Sequence, residues 1–383
     1  MAFLRNRSVN WINLHSGIQA LAQGMGGVFV LVFLLRAGVS IPATLCAMAL
    51  IFVGRFITRP AVLVSAKRWG LKPLVVAGNL VIALQYPLLA EVHGFDESLL
   101  AYCLVSALGD TFYWSAYHAY FAVLGDSEHR GHQISAGVGL SAVVGIVAPL
   151  IGAWALLTVS PRLAFGAVGV VQALAAAPLL FTPNVPVQRT ALGAFRASFQ
   201  AIGLFVSDGW FAVMYTFVWQ IGLFLSLGES LSAYGGAMAF AALVGAVSGL
   251  LLGRQIDAGH GRRAVVLALS VVAVTLMLRA VSLGTPWLAF AANALGALAM
   301  CLQVPAQMTP VYNLAKASPC ALRFTIAAEG AWDVGCLSGC LAAAALIAHG
   351  APLSGVIPLG FLGLGGQLLL LLRYYARSSA PAT

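Results

Sequence analysis

Residues 41–64 read IPATLCAMALIFVGRFITRPAVLV, an apolar run interrupted only by Arg55 and Arg59. Such a run is long enough to cross the roughly 30 Å of hydrocarbon in a bilayer as one helix. The two arginines are four residues apart, so they share one face one turn apart. A charged side chain at membrane depth costs about 2.5–3.5 kcal/mol on insertion scales. Whatever offsets that cost must come from elsewhere in the chain.

The rest of the sequence has the same character. Of 383 residues 61% are hydrophobic and 8% are charged, against about 25% charged in an ordinary soluble domain. The mean hydropathy is +0.95. A soluble core cannot hide that much apolar surface, so the solvent is lipid. The runs are continuous rather than alternating, which excludes a β-barrel of short strands. The expected spans are 12–35, 42–65, 73–92, 98–124, 134–157, 161–181, 201–226, 232–253, 264–284, 286–312, 323–348 and 353–373. The first follows a basic start (Arg5, Arg7) and is too long for a signal-peptide core, so it is expected to be retained. The fold class is an all-α membrane protein with twelve transmembrane helices.

The net charge of +9 is an orientation signal rather than a nucleic-acid footprint. With both termini inside, Arg5, Arg7, Lys67, Arg68, Lys72, Arg130, Arg189, Arg196, Arg254, Arg262, Arg263, Lys316, Arg323, Arg373 and Arg377 fall on the cytoplasmic side. Only Arg36, Arg162 and Arg279 fall outside, as the positive-inside rule requires of a multi-pass cytoplasmic-membrane protein. The six cysteines show no metal-type spacing with histidine, and no metal or cofactor is expected. There is no Gly-x-x-x-x-Gly-Lys-Ser/Thr loop, His-Glu-x-x-His or Gly-x-Ser-x-Gly, so ATP hydrolysis and two common hydrolase chemistries are excluded.

The chain repeats itself. LRAGVSIPATL after the first span has a counterpart in LSLGESLSAYG after the seventh, with Gly38 and Ser40 mapping onto Gly228 and Ser230. AKRWGLKPLVV after the second span matches AGHGRRAVVL after the eighth, with Gly70 mapping onto Gly261. The offsets, 190 and 191 residues, are each close to half the chain. The expected domains are two pseudo-symmetric six-helix bundles, 1–181 and 201–383, joined by a cytoplasmic linker at 182–200.

On these features the sequence resembles the major facilitator superfamily. GRQIDAGHGRR is similar to the family's loop signature and supplies Gly253, Asp257, Gly261, Arg262 and Arg263. The first-half copy keeps Gly70, Lys72 and Pro73 but has Lys67 where the acid should stand. GIVAPLIGA in span 5 looks like the family's antiporter motif, with Ala148 and Ala153 replacing glycines around Pro149 and Gly152. Span 4 lacks the arginine expected of proton-coupled drug exporters; Cys103 lies near that place. The resemblance implies two bundles around a central cavity lined by spans 1, 4, 7 and 10, working as a monomeric secondary transporter.

Those spans carry the polar and aromatic groups that a ligand pocket uses. They are His15, Gln19 and Gln23; Asp110, Tyr113, Trp114, Tyr117 and His118; Tyr215, Trp219 and Gln220; and Gln303 and Gln307. Trp and Tyr near span ends are also interfacial anchors, and a lone buried His is often a satisfied structural group. Asp208 sits near the start of span 7, where the helix dipole is reason enough for it. Glu91, Asp96 and Glu97 read as a solvated loop.

Span 11 opens LRFTIAAEGAWDVGC, with Glu329 and Asp333 one turn apart. Depth along antiparallel spans pairs Arg59 with Glu329 and Arg55 with Asp333, and the resemblance implies that helices 2 and 11 face each other. Three roles stay open: a gate closing the cytoplasmic side, a site in which the arginines bind an organic anion, or static cement. The expected function is proton-coupled export of a small organic solute by alternating access. Uptake or exchange of an organic anion is the alternative, and an intramembrane enzyme or assembly protein is the reading from a different class.

Overall fold

The computed structural model describes residues 6–125, 130–188, 190–195, 198–256 and 261–378. The first half of the chain forms α1 (Arg7–Arg36), α2 (Ile41–Trp69), α3 (Leu71–Ala90), α4 (Glu97–Leu124), α5 (Arg130–Thr158) and α6 (Pro161–Phe181). The second half forms α7 (Phe199–Ser226), α8 (Leu231–Ile256), α9 (Gly261–Ser282), α10 (Pro286–Ala317), α11 (Ala321–Ala348) and α12 (Leu353–Ala376). Among the described residues, ten stretches are long and apolar enough to cross a membrane, covering all of these but α4 and α5. α4 has the length, but Tyr102, Tyr113, Trp114, Tyr117, His118 and Tyr120 dilute its hydropathy. The described apolar part of α5 is Val143–Thr158.

At their C-terminal ends α2 and α10 outrun their expected spans by four and five residues. α2 continues to Trp69, because Lys67 and Arg68 suit the last turn of a helix and Gly70, at φ 83°, supplies the left-handed residue that stops it. α10 continues to Ala317 through Pro305 and Pro310. The extension of α2 puts Arg59 ten residues from the helix end, about 15 Å, rather than the seven the sequence suggested.

The half-chain repeat is visible in backbone detail. After α1, Gly38 (φ 86°) and Val39 donate to the carbonyls of Leu35 and Leu34, and the Ser40 hydroxyl accepts from Ala43 N–H at the start of α2. After α7, Gly228 (φ 67°) and Glu229 donate to Leu225 and Phe224, and the Ser230 hydroxyl accepts from Ala233 N–H. Each member of the second turn is 190 positions beyond its counterpart, so one stop-and-restart device is used twice.

The two halves of the chain meet along α2 against α11 and α5 against α8. On the side of the Ile41 and Leu231 helix starts the seam is tight. Tyr234 packs edge-on against Phe29 (centroids 5.7 Å apart) and its hydroxyl donates to the Val28 carbonyl at 3.1 Å. A Cβ on Gly235 would stand 2.7 Å from that of Ala153 and 2.9 Å from the Pro149 carbonyl. A Cβ on Gly24 would meet Ala148 at 2.5 Å. The GIVAPLIGA stretch is therefore a double packing face, against α1 on one side and α8 on the other. Small residues there let backbones approach closely.

Candidate functional site

The cost of Arg55 and Arg59 is offset across the seam. Asp333 of α11, with no exposed side-chain surface, receives both arginines. Arg59 donates to it through Nε (3.0 Å) and Nη2, and donates through Nη1 to the Ser115 hydroxyl of α4 at 2.8 Å. Arg55 Nε lies 2.8 Å from Asp333 Oδ1, close but off the hydrogen-bond direction. Its two terminal nitrogens reach Glu329 at 3.4 Å and Asp110 of α4 at 3.5 Å. The Arg55 guanidinium also sits over Trp332 and Phe52, 5.4 and 5.7 Å from the ring centroids.

This changes the expected pairing. Arg55 does meet Asp333, but Arg59 pairs with Asp333 and not with Glu329. Side chains lean toward the N-terminus of their own helix. On antiparallel helices that tilts Arg59 and Asp333 toward each other, which matching Cα depths does not anticipate. The cluster also sits at the middle of both helices, because α2 is longer than expected.

Two guanidinium groups thus face three carboxylates. The surplus is unevenly held. Asp333 is buried and doubly paired, whereas Asp110 and Glu329 form only long ion pairs and keep 23% and 15% of their side-chain surface. The α4 side chains that follow Asp110 on its face, Trp114 and His118, are also part-exposed, with Tyr117 beside them. Trp114 stacks on His118 (5.6 Å) and stands edge-on to Tyr117 (6.0 Å).

The other predicted residues separate into networks inside each half. His15 is fully buried, with Nδ1 2.6 Å from the Ala175 carbonyl and Nε2 2.7 Å from the Tyr113 hydroxyl, which in turn meets Gln19 at 2.8 Å. Nδ1 therefore carries the proton given to Ala175. Ser16 and the Tyr117 hydroxyl are 2.6 Å apart. His15, Gln19 and Tyr113 are internal to the first half rather than facing an open cavity. Gln23 and Gln220 are half-buried.

In the second half Gln303 donates to Gln307 (2.5 Å) and to Gln367 (3.1 Å), and Gln367 donates to Asp208 at 3.1 Å. Asp208 also accepts from the Trp332 indole at 3.1 Å. Asp208 is thus a network member, which its position in the helix did not reveal, and Gln367 carried no sequence signal. Trp332 touches Phe52 edge-on at 5.5 Å, so this network adjoins the charge cluster.

Tyr215 and Trp219 are fully buried away from that cluster, against Arg279. Arg279, counted from sequence as a charge on the outer side, is a buried residue of α9 whose guanidinium lies 3.7 Å from the Tyr215 ring centroid and 5.0 Å from that of Trp219. It donates to the Tyr215 carbonyl within the π-helical stretch Val213–Val218, where the regular backbone ladder is broken. A cation on two aromatic faces is attracted by both, which turned this arginine inward.

The loop motif is met in part. Gly70 and Lys72 dock on the connecting segment: Lys72 N–H donates to the Asn184 side chain (3.2 Å) and its ammonium to the Thr182 and Leu180 carbonyls (2.7 and 2.9 Å). Leu71 N–H donates to Val185 (2.9 Å), and Arg323 of α11 donates to Ala191 (2.9 Å), so the segment touches both halves. Gly253 lies within α8, Gly261 opens α9, and Arg262 and Arg263 are exposed. Asp257 lies outside the described residues. The loop acids are structural: Glu91 forms a two-pronged exposed pair with Arg162 (2.7 Å each), and Asp96 caps α4. No group of His, Cys, Asp and Glu that could hold a metal occurs among the described residues.

Residues 16–318 match the family model described as Major Facilitator Superfamily. Two solved structures share the fold. The human organic anion transporter MFSD10 (TETRAN) is 16% identical, with TM-score 0.68, over 95% of this chain and 99% of that one. A point mutant of the nucleoside transporter NupG is 12% identical, with TM-score 0.66, over 96% and 99%. At these identities the likeness is one of fold alone. No curated protein matches the chain.

Proposed function

From the premise that the chain belongs to the Major Facilitator Superfamily, and is therefore a transporter rather than an enzyme, we propose proton-coupled export of a small organic solute across the cytoplasmic membrane. Twelve spans form two bundles, residues 1–181 and 201–383, both termini are cytoplasmic, and the bundles rock about a midplane site as a monomer. The observation that carries this reading is the charge cluster. Two helices from opposite halves are bound at mid-depth by Arg55, Arg59 and Asp333, while Asp110 and Glu329 are loosely held and part-exposed. A proton on either surplus carboxylate brings the cluster to neutrality and loosens the hold on Arg55. Intramembrane ionisable groups of this kind mark proton pathways.

The conformation supports a state closed on the outside. Phe29, Tyr234 and Gly235 seal the seam at the Ile41 and Leu231 ends. Towards the other ends of α4 and α7, Trp114, Tyr117, His118, Val206, Ser207 and Asp208 keep part of their surface. The cluster then stabilises the outside-closed state, the reverse of the cytoplasmic gate expected from depth arithmetic. Both arginines are already bound to Asp333, which weighs against their serving as an organic-anion site.

The test needs no substrate. A cysteine at Tyr117, with the native cysteines replaced, should react with a membrane-impermeant thiol reagent in inside-out vesicles and be protected in right-side-out vesicles. Asp333→Asn should expose it from the outside. Asp110→Asn with Glu329→Gln should abolish the pH dependence of that reactivity. Labelling that is equal from both sides in every variant would contradict alternating access.

A further inference from the structure

The charge surplus has a second use, and it concerns what is carried. Three carboxylates meet two guanidinium groups where the halves touch, and the two loosely held ones lie on opposite helices, each reaching a different terminal nitrogen of the same Arg55. Arg279, a buried cation of the second half, is held on Tyr215 and Trp219 and forms no ion pair with this cluster. Next to Asp110 on its own helix face come Trp114 and His118, four and eight residues on, with Tyr117 beside them. All are part-exposed, so the stripe offers an aromatic wall beside an unneutralised acid. An aromatic face and a desolvated carboxylate both attract a monovalent cation and both disfavour an anion.

We propose that Asp110 and Glu329, with the Trp114–His118 stripe, form a binding site for a monovalent organic cation: a protonated or quaternary amine on an aromatic or aliphatic body. The inference rests on the transport reading above and adds the substrate class to it. Proton and amine occupy the site in turn, because either one neutralises the same surplus charge. Binding one releases the other, and the charge of the cluster is the same in both states. The arginines are fixtures of the site and not its ligands, so an organic anion finds no free cation there.

The charged and titratable groups that reach the two acids are Arg55 of α2, Tyr86 of α3, Tyr102, Tyr113 and His118 of α4, Asp208 of α7 and Asp333 of α11, and Arg59 joins the cluster through Asp333. A free imidazole titrates near the range of the experiment, so His118→Gln accompanies each measurement.

The experiment uses purified full-length protein and three probes of similar size: benzyltrimethylammonium, benzyl alcohol and benzenesulfonate. The cation alone should raise the unfolding temperature with concentration. Its affinity should fall as the pH is lowered, because protons compete with it for the same carboxylates. Mixing it with protein in weak buffer should acidify the solution. Asp110→Asn and Glu329→Gln should each weaken it about tenfold, while His118→Gln should leave the proton release in place. Should Glu329→Gln not fold, Asp110→Asn carries the comparison. Stabilisation by benzenesulfonate instead, or cation binding that releases no proton and ignores both acid variants, overturns the site. That failure would leave the sidedness of Tyr117 labelling untouched, so it is distinguishable from failure of the transport reading.

Discussion

Asp333 has no exposed side-chain surface and receives both arginines. Removing one partner of a buried pair leaves an uncompensated charge, a loss of about 3–5 kcal/mol. Asp333→Asn strands Arg59 and leaves Arg55 only its long contacts to Glu329 and Asp110, so a large fall in thermal stability in detergent is expected. Asp110 makes a single ion pair, at 3.5 Å, beside its hydrogen bond with Trp114, and is part-exposed, so Asp110→Asn should cost no more than about 1 kcal/mol, as for a loosely held pair. Melting curves of the two variants test this division. Equal losses would mean that Asp110 is structural and the proton-carrying role is misplaced. At this scale the sequence was a partial guide. Four-residue spacing found Arg55, Arg59, Glu329 and Asp333, and the depth of Asp110 flagged it. Which acid meets which arginine depended on the lean of side chains along antiparallel helices, and Gln367 carried no spacing or charge by which it could be found.

Between helices, glycine decides how closely α4 is held and thus where its stripe points. A Cβ on Gly78 of α3 would come within 2.5 Å of Tyr113 N, and one on Gly109 of α4 within 2.8 Å of Ile82. Gly78→Val should push α4 away at a cost of about 1–3 kcal/mol and weaken the Trp114 stripe as a wall. A Cβ on Gly166 of α6 would meet nothing within 4 Å. Gly166→Ala should therefore be neutral or stabilise by about 0.5–1 kcal/mol through helix propensity. Similar melting temperatures for the two would contradict the packing argument. The elements were largely legible, since a run of apolar residues bounded by glycine and serine is a direct record of a spanning helix. What was not legible was the effect of tertiary partners. Arg279 read only as a charge on the outer side, because its aromatic neighbours, Tyr215 and Trp219, were distant in sequence.

At the scale of the whole molecule, the turns at Gly38 and Gly228 repeat each other bond for bond, and the seam is held by two contrasting patches. One is the small-residue and aromatic contact of Phe29, Ala153, Tyr234 and Gly235; the other is the mid-depth charge cluster. On the proposed reading, packing closes one side and ionisation governs whether it stays closed. The most direct measurement is the distance between spin labels at Arg36 and His349, exposed positions at the Ile41-side ends of α1 and α11, read by pulsed electron resonance in nanodiscs. The account predicts a short, narrow distribution for the parent protein at neutral pH. It predicts a longer component in Asp333→Asn, and one that grows in the parent as pH falls and protons reach Asp110 and Glu329. Distributions that stay the same in Asp333→Asn and across that pH range would contradict it.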